Sequence, residues 1–199
     1  MSEDLLWAFA VFALVSSVTP GPNNLMLLAS GANFGFRRTL PHLAGVVIGF
    51  AVMAAAVGLG LGELFARVPA LYDIMRWVGA TYLLYLAWKI ATAAPPDAGS
   101  ANRARPMGFW AAVAFQWVNP KAWMMAVGAI STYAPAGDPA WIVGLVLLFG
   151  LINAPCVAGW AAFGARVGRY LQRPRLRLAF NGTMAVLLVA SLVPMVQVG

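Results

Sequence analysis

The stretch 16-SSVTPGPNNLML-27 places two prolines, a glycine and two asparagines inside an otherwise apolar run. Proline lacks a backbone N–H and its ring clashes with the preceding turn, so a helix entering this stretch must break near Pro20 and Pro22. Upstream lies 5-LLWAFAVFALVSSV-18, flanked by Glu3 and Asp4 with no lysine or arginine. A cleaved secretory leader carries a positive flank. The run therefore reads as the first half of a retained helix, about Leu5–Ala29, broken in its middle.

Similar apolar runs fill the rest of the chain. Hydrophobic residues make up 62% of the 199 positions and charged residues 10%, and the mean hydropathy is +0.80. Soluble domains carry roughly 25% charged residues. This composition cannot cover a water-facing surface, which makes the chain a membrane protein. Six segments approach the ~20 residues that cross a ~30 Å hydrocarbon core. They are predicted at about Leu5–Ala29, Leu40–Gly62, Ala70–Thr92, Met107–Tyr133, Ala140–Phe163 and Leu178–Val198. All are too long for barrel strands, which would also alternate at period two. The expected fold class is an all-α membrane protein with six transmembrane helices.

The 13 basic residues sort by gap. Arg37 and Arg38 follow the first span. Lys89, Arg103 and Arg105 surround the end of the third. Arg166, Arg169, Arg173, Arg175 and Arg177 fill the last gap. Against these ten, the alternate gaps hold only Arg67 and Arg76, with Lys121 left inside the fourth span. Basic loops stay cytoplasmic, so both termini are expected outside, and the arginine-rich last gap is placed against anionic lipid headgroups. The net charge of +7 thus reports topology. No basic patch interleaved with aromatics points to nucleic acid.

The one polar linker, 94-APPDAGSANRARP-106, separates a three-span half (1–93) from a second three-span half (107–199). An odd number of spans per half forces the halves into opposite orientations, the geometry of an inverted repeat. The first span of the second half carries 116-QWVNPKAW-123, a break matching TPGPNN in the first. A lone proline in a membrane helix reads as a kink. Two breaks at matching places, each beside asparagine, point to a discontinuous pair.

A broken helix frees backbone N–H and C=O groups, which lipid does not tolerate, so such backbone faces protein or a wet cavity. The second half-helices should begin near Asn23 and near Lys121. A helix N-terminus carries about half a positive charge and free donors, and it suits a carboxylate. The candidate binding residues are therefore Pro20, Gly21, Pro22, Asn23 and Asn24 at the first break. At the second they are Gln116, Asn119, Pro120 and Lys121, with Asn153 in the fifth span. Gln116, Asn119, Asn153 and Asn181 have interhelical hydrogen bonding as the alternative role.

Lys121 is the one deep charge, and an ionisable group there is a functional candidate. The alternative is a lysine bonded to carbonyls freed at the break. As a functional group it has two mutually exclusive roles. An anchor for a cargo carboxylate stays protonated when cargo binds. A proton-coupling group releases its proton then, as antiport requires. Asp73 and Arg76 should pair at the end of the third span, and Lys89 should snorkel. Gly45 with Gly49, and Gly164 with Gly168, are spaced for close helix contact within the monomer. His42, at the start of the second span, reads as interfacial.

With these residues assembled, the chain resembles the LysE/RhtB family of amino-acid exporters. The resemblance rests on 19-TPGPNN-24, 119-NPK-121 and the basic turn into a Gly-spaced helix at 34-FGFRRTLPHLAGVVIGF-50. The segments 77-WVGATYLLYLAWKIAT-92 and 108-GFWAAVAFQWVNPKAW-123 look like the branch that exports cysteine and O-acetylserine. The resemblance implies efflux of small neutral amino acids or their metabolites across a bacterial inner membrane, driven by the proton gradient. It implies amino acid, protons and membrane lipid as partners, no cofactor and no enzymatic activity; a homo-oligomer stays open. Some relatives carry an acidic residue near the position of Asn153, and asparagine there disfavours a dicationic cargo such as lysine.

Two other classes fit the broken spans less well. A thiol–disulfide relay enzyme needs a cysteine pair, and Cys156 is the only cysteine. A metal-ion exporter would want several His, Cys or carboxylate ligands, and there is one histidine. A lipid-embedded scaffold would not require paired breaks.

Overall fold

The computed structural model describes residues 3–61, 63, 67, 68, 70–93, 105–134 and 138–193. These form helices joined by short turns and breaks, with no strand among them. Helices α1 (Glu3–Val18) and α2 (Pro22–Phe34) are followed by α3 (Phe36–Ala56), which runs on into a π turn at Val57–Leu61. Then come α4 (Ala70–Ala91), α5 (Phe109–Gln116), α6 (Pro120–Tyr133), α7 (Pro139–Gly168) and α8 (Pro174–Ala190). The polar linker lies outside the described residues except for Arg105 and Pro106, as do the expected ends at Gly62 and Val198.

Both sequence-read breaks are present. The axes of α1 and α2 bend by 51° across Thr19–Gly21, and Trp117–Asn119 separates α5 from α6. Proline opens each second half, Pro22 in α2 and Pro120 in α6. There its missing N–H is one that a helix start leaves unpaired anyway, and its fixed φ suits the first turn. Between α2 and α3 the chain turns on Gly35 alone, at φ 80°, a conformation that side chains rarely adopt.

Two described helices are long and apolar enough to cross a membrane singly, Phe36–Leu61 and Pro139–Gly168, and the bent pair α1–α2 makes a third candidate. The other expected spans do not reach that standard as single helices. Helices α5, α6 and α8 have 8, 14 and 17 residues, short of ~20. Helix α4 is long enough at 22 residues but carries Asp73, Arg76 and Lys89.

Helix α2 lies at the centre, in contact with α3, α7 and α8. Most of its side chains are buried, including Leu25, Leu27 and Leu28. Its closest neighbour is α7, and small residues make that approach possible. A Cβ at Gly164 would strike the backbone carbonyl of Leu28, one at Gly168 that of Ala32, and one at Gly31 that of Ala161. Gly45 and Gly49 do the same for α3 against α5, where a Cβ on Gly49 would lie 2.7 Å from the Val113 Cα. The sequence-read glycine pairs thus serve contacts within the monomer. Two apolar clusters flank the breaks. One joins α1, α3, α6 and α7 around Phe9, Phe50, Ala126 and Phe149. The other joins α2, α4, α5 and α8 around Leu25, Leu83, Phe115 and Leu188.

Candidate functional site

At the first break, α1 ends with carbonyls that have no helical partner, and α2 begins at Gly21 with no side chain capping it. Asn24 serves the carbonyls: its buried Nδ2 donates to Ser17 O and Thr19 O, both at 2.9 Å. At the second break, Asn119 caps α6 by accepting from the Lys121 backbone N–H at 3.2 Å. The Trp123 indole donates to Trp117 O at 2.8 Å. Each break is therefore tied down by side chains on its far edge, as expected for backbone that cannot be left bare in a membrane.

The two breaks also hold each other. Asn23 Nδ2 donates to Gln116 Oε1 at 2.8 Å, and Gln116 Nε2 donates back to Asn23 Oδ1 at 3.1 Å. Fully buried Gln116 also donates to Ala112 O at 3.0 Å. Lys121 reaches across 102 positions of sequence, and its Nζ donates to Thr19 O and, at 3.4 Å, to Pro20 O. Gly21 is the residue that admits this side chain. A Cβ there would lie 2.6 Å from Lys121 Cδ. Its backbone is extended (φ −177°), so space and not conformation demands glycine.

Between the breaks is a cavity of about 20 Å³, room for about one water and far less than an amino acid. Of the sequence-read residues, Gly21, Asn23, Asn24, Asn119, Lys121 and Asn153 line it. Pro22 and Pro120 start the half-helices beside it. Pro20 is exposed and contributes its carbonyl, and Gln116 stands behind Asn23. Two polar groups on the wall are unspent among the described residues. Asn153, on α7, is 4% exposed and makes no hydrogen bond; Ser17 Oγ is buried without a partner. Ser17 was not singled out in the sequence, although it lies in the decisive stretch. Its position one turn before the break was the available signal. Phe50, Met125 and Val157 complete the apolar part of the wall.

Other residues serve elsewhere. Asn181 pairs with Asn33 (2.8 Å), joining α8 to α2 away from the breaks. Tyr82, Tyr85 and Lys89 border a second, larger cavity between α2 and α4, where the Lys89 ammonium sits 5.6 Å from the Tyr85 ring centre. Asp73 and Arg76 pair at 3.7 Å as expected. His42 departs from its interfacial reading. Helix α3 starts at Phe36, which carries His42 two turns inward, and it is 1% exposed with neither ring nitrogen partnered among the described residues.

Comparison with known proteins follows the same lines. The family profile of the LysE type translocators matches residues 14–193. A cysteine/O-acetylserine efflux protein of Salmonella typhimurium strain LT2 is 36% identical over 192 residues, covering 95% of this chain and 96% of the relative. Proteins of the same name from Escherichia coli strain K12 and Shigella sonnei strain Ss046 match with equal identity and coverage. No solved structure matches the chain.

Proposed function

Because the chain belongs to the LysE type translocator family, we propose that it is a secondary transporter exporting small neutral amino acids or their metabolites, cysteine- and O-acetylserine-like, by proton antiport. The observation that carries this reading is the meeting of the two helix breaks around one polar cavity. An uncapped N-terminus at α2 supplies N–H donors and positive potential for a carboxylate. The C-terminal end of α1 supplies carbonyls and negative potential for an ammonium. A zwitterion with a small side chain complements both ends. Among the described residues the cavity wall carries no acidic side chain to favour a second positive charge.

The chain sits in a bacterial inner membrane as six spans: α1 with α2, α3, α4, α5 with α6, α7 and α8. Contacts between helices support two related halves. The first span packs on the fifth through α1, α2 and α7, as the fourth packs on the second through α5, α6 and α3. Contacts of α3 with α7 and of α4 with α8 map onto themselves when the halves are exchanged. The basic-residue count puts both termini outside. Lys121 is the coupling group, since among the described residues it is the one titratable side chain on the cavity wall.

Growth under challenge tests the export reading. Cells expressing the chain should tolerate inhibitory cysteine or O-acetylserine better than cells expressing Asn153→Leu at equal membrane abundance. Equal sensitivity of wild-type-expressing and empty cells to every small zwitterion tried would reject it.

A further inference from the structure

Lys121 occupies the acceptor groups that a cargo ammonium would need. Its Nζ donates to the carbonyls of Thr19 and Pro20, which face the break at the negative end of α1. Glycine at position 21 leaves the space its stem passes through. Beside it lie the Ser17 hydroxyl, buried without a partner, and Asn153 on the cavity wall, which makes no hydrogen bond among the described residues. Leaving the buried Ser17 hydroxyl unpaired is costly, so the wall offers more hydrogen bonds than the lysine makes. With the lysine inserted, the cavity holds about 20 Å³. Withdrawing a four-carbon side chain both enlarges it and uncovers the carbonyls.

We propose that the Thr19 and Pro20 carbonyls, with Ser17 Oγ and the Asn153 side chain, form the cargo's ammonium subsite, and that Lys121 is its tethered occupant in the empty carrier. This rests on the reading of the paired breaks as the cargo site. The subsite takes one ammonium at a time. On the loading side, Lys121 gives up one proton to water, its neutral amine withdraws, and the cargo ammonium takes the carbonyls. On the release side the cargo leaves, Lys121 gains one proton from water and returns to them. Each cycle moves one cargo molecule one way and one proton the other. Among the described residues no other titratable group faces the lysine across the cavity. Helices α1 and α2 present serine, glycine and asparagine, α3 presents Phe50, and α7 presents Asn153 and Val157.

Two measurements on purified full-length protein test the assignment. The first needs no cargo. Lys121→Ala should open an ammonium-sized site, so ethylammonium should raise its Tm saturably and leave the wild-type Tm unchanged. No stabilisation of Lys121→Ala, or an equal rise in the wild type, would overturn the subsite. The second compares O-acetylserine with N-acetylserine, which differ in whether the amine is free. Wild-type affinity for O-acetylserine should rise roughly ten-fold per pH unit between about pH 5.5 and about pH 7, as for one exchanged proton. N-acetylserine should not compete. In Lys121→Met the slope should vanish and binding at the acid end should tighten. Weaker binding in Lys121→Met with N-acetylserine competing equally would make Lys121 a carboxylate anchor and refute the proposal while leaving export intact. Amine rescue of Lys121→Ala without O-acetylserine binding to the wild type would support the subsite and reject the proposed cargo.

Discussion

Asn24 and Ser17 stand one helical turn either side of the same break, yet the structure assigns them opposite duties, and substituting each separates fold from function. Asn24 Nδ2 holds two carbonyls at 2.9 Å. Asn24→Leu keeps the branched heavy-atom shape of the side chain and removes both bonds. Interhelical hydrogen bonds inside membranes average about 0.6 kcal/mol and reach about 1.7, while a buried carbonyl left bare costs about 1–3 kcal/mol. Two bonds therefore predict a loss of about 1–3 kcal/mol of stability. Ser17 Oγ has no partner to lose. Ser17→Ala should leave stability within about 0.5 kcal/mol, the range of substitutions that break no specific interaction. It would instead remove a hydrogen bond to a charged cargo, worth about 1.5–3 kcal/mol, and weaken binding at least about ten-fold. Denaturation in mild detergent, followed by tryptophan fluorescence, reads the first effect, and equilibrium binding of labelled O-acetylserine reads the second. Wild-type stability in Asn24→Leu, or wild-type affinity in Ser17→Ala, would refute this division of roles.

Three further outcomes follow from the packing and the charge pattern. Gly164→Leu drives a side chain into the Leu28 backbone, and overpacking of about 1–3 kcal/mol or more should lower membrane abundance and Tm; an unchanged Tm would contradict the close α2–α7 contact. His42→Leu removes two buried, unpartnered nitrogens, so thermal melts should show stability equal to or above the wild type. A reporter fused after Val198 should be active only outside the cytoplasm, and cytoplasmic activity would overturn the orientation read from the basic residues.

The breaks were legible because proline and glycine act locally. TPGPNN and NPK each specify a helix start within one or two residues, and the α2 and α6 boundaries follow at Pro22 and Pro120. Glycine spacing announced close contacts, although the partners, α7 on α2 and α5 on α3, are set by topology. Long-range pairings left no local trace. Asn23 with Gln116 and Lys121 with Thr19 join positions about a hundred residues apart. Nothing near Asn24 in sequence says that its amide donates backwards to the carbonyls of Ser17 and Thr19. The helix of the fifth span runs on beyond its expected span end at Phe163. Helix α7 continues to Gly168 past Arg166, because arginine is a good helix former whose stem can lie along apolar surface.

Exchange of cargo for proton at the paired breaks is measurable in proteoliposomes. Vesicles holding the purified chain are given equal labelled O-acetylserine on both sides, and an acid interior is then imposed. Proton outflow should drive labelled cargo inward against its growing gradient through the wild-type protein, and collapse of the pH difference should abolish accumulation. Lys121→Met should still exchange labelled for unlabelled cargo but should not accumulate it. Uphill accumulation by Lys121→Met, or indifference of the wild type to the imposed pH difference, would rule out proton exchange at Lys121.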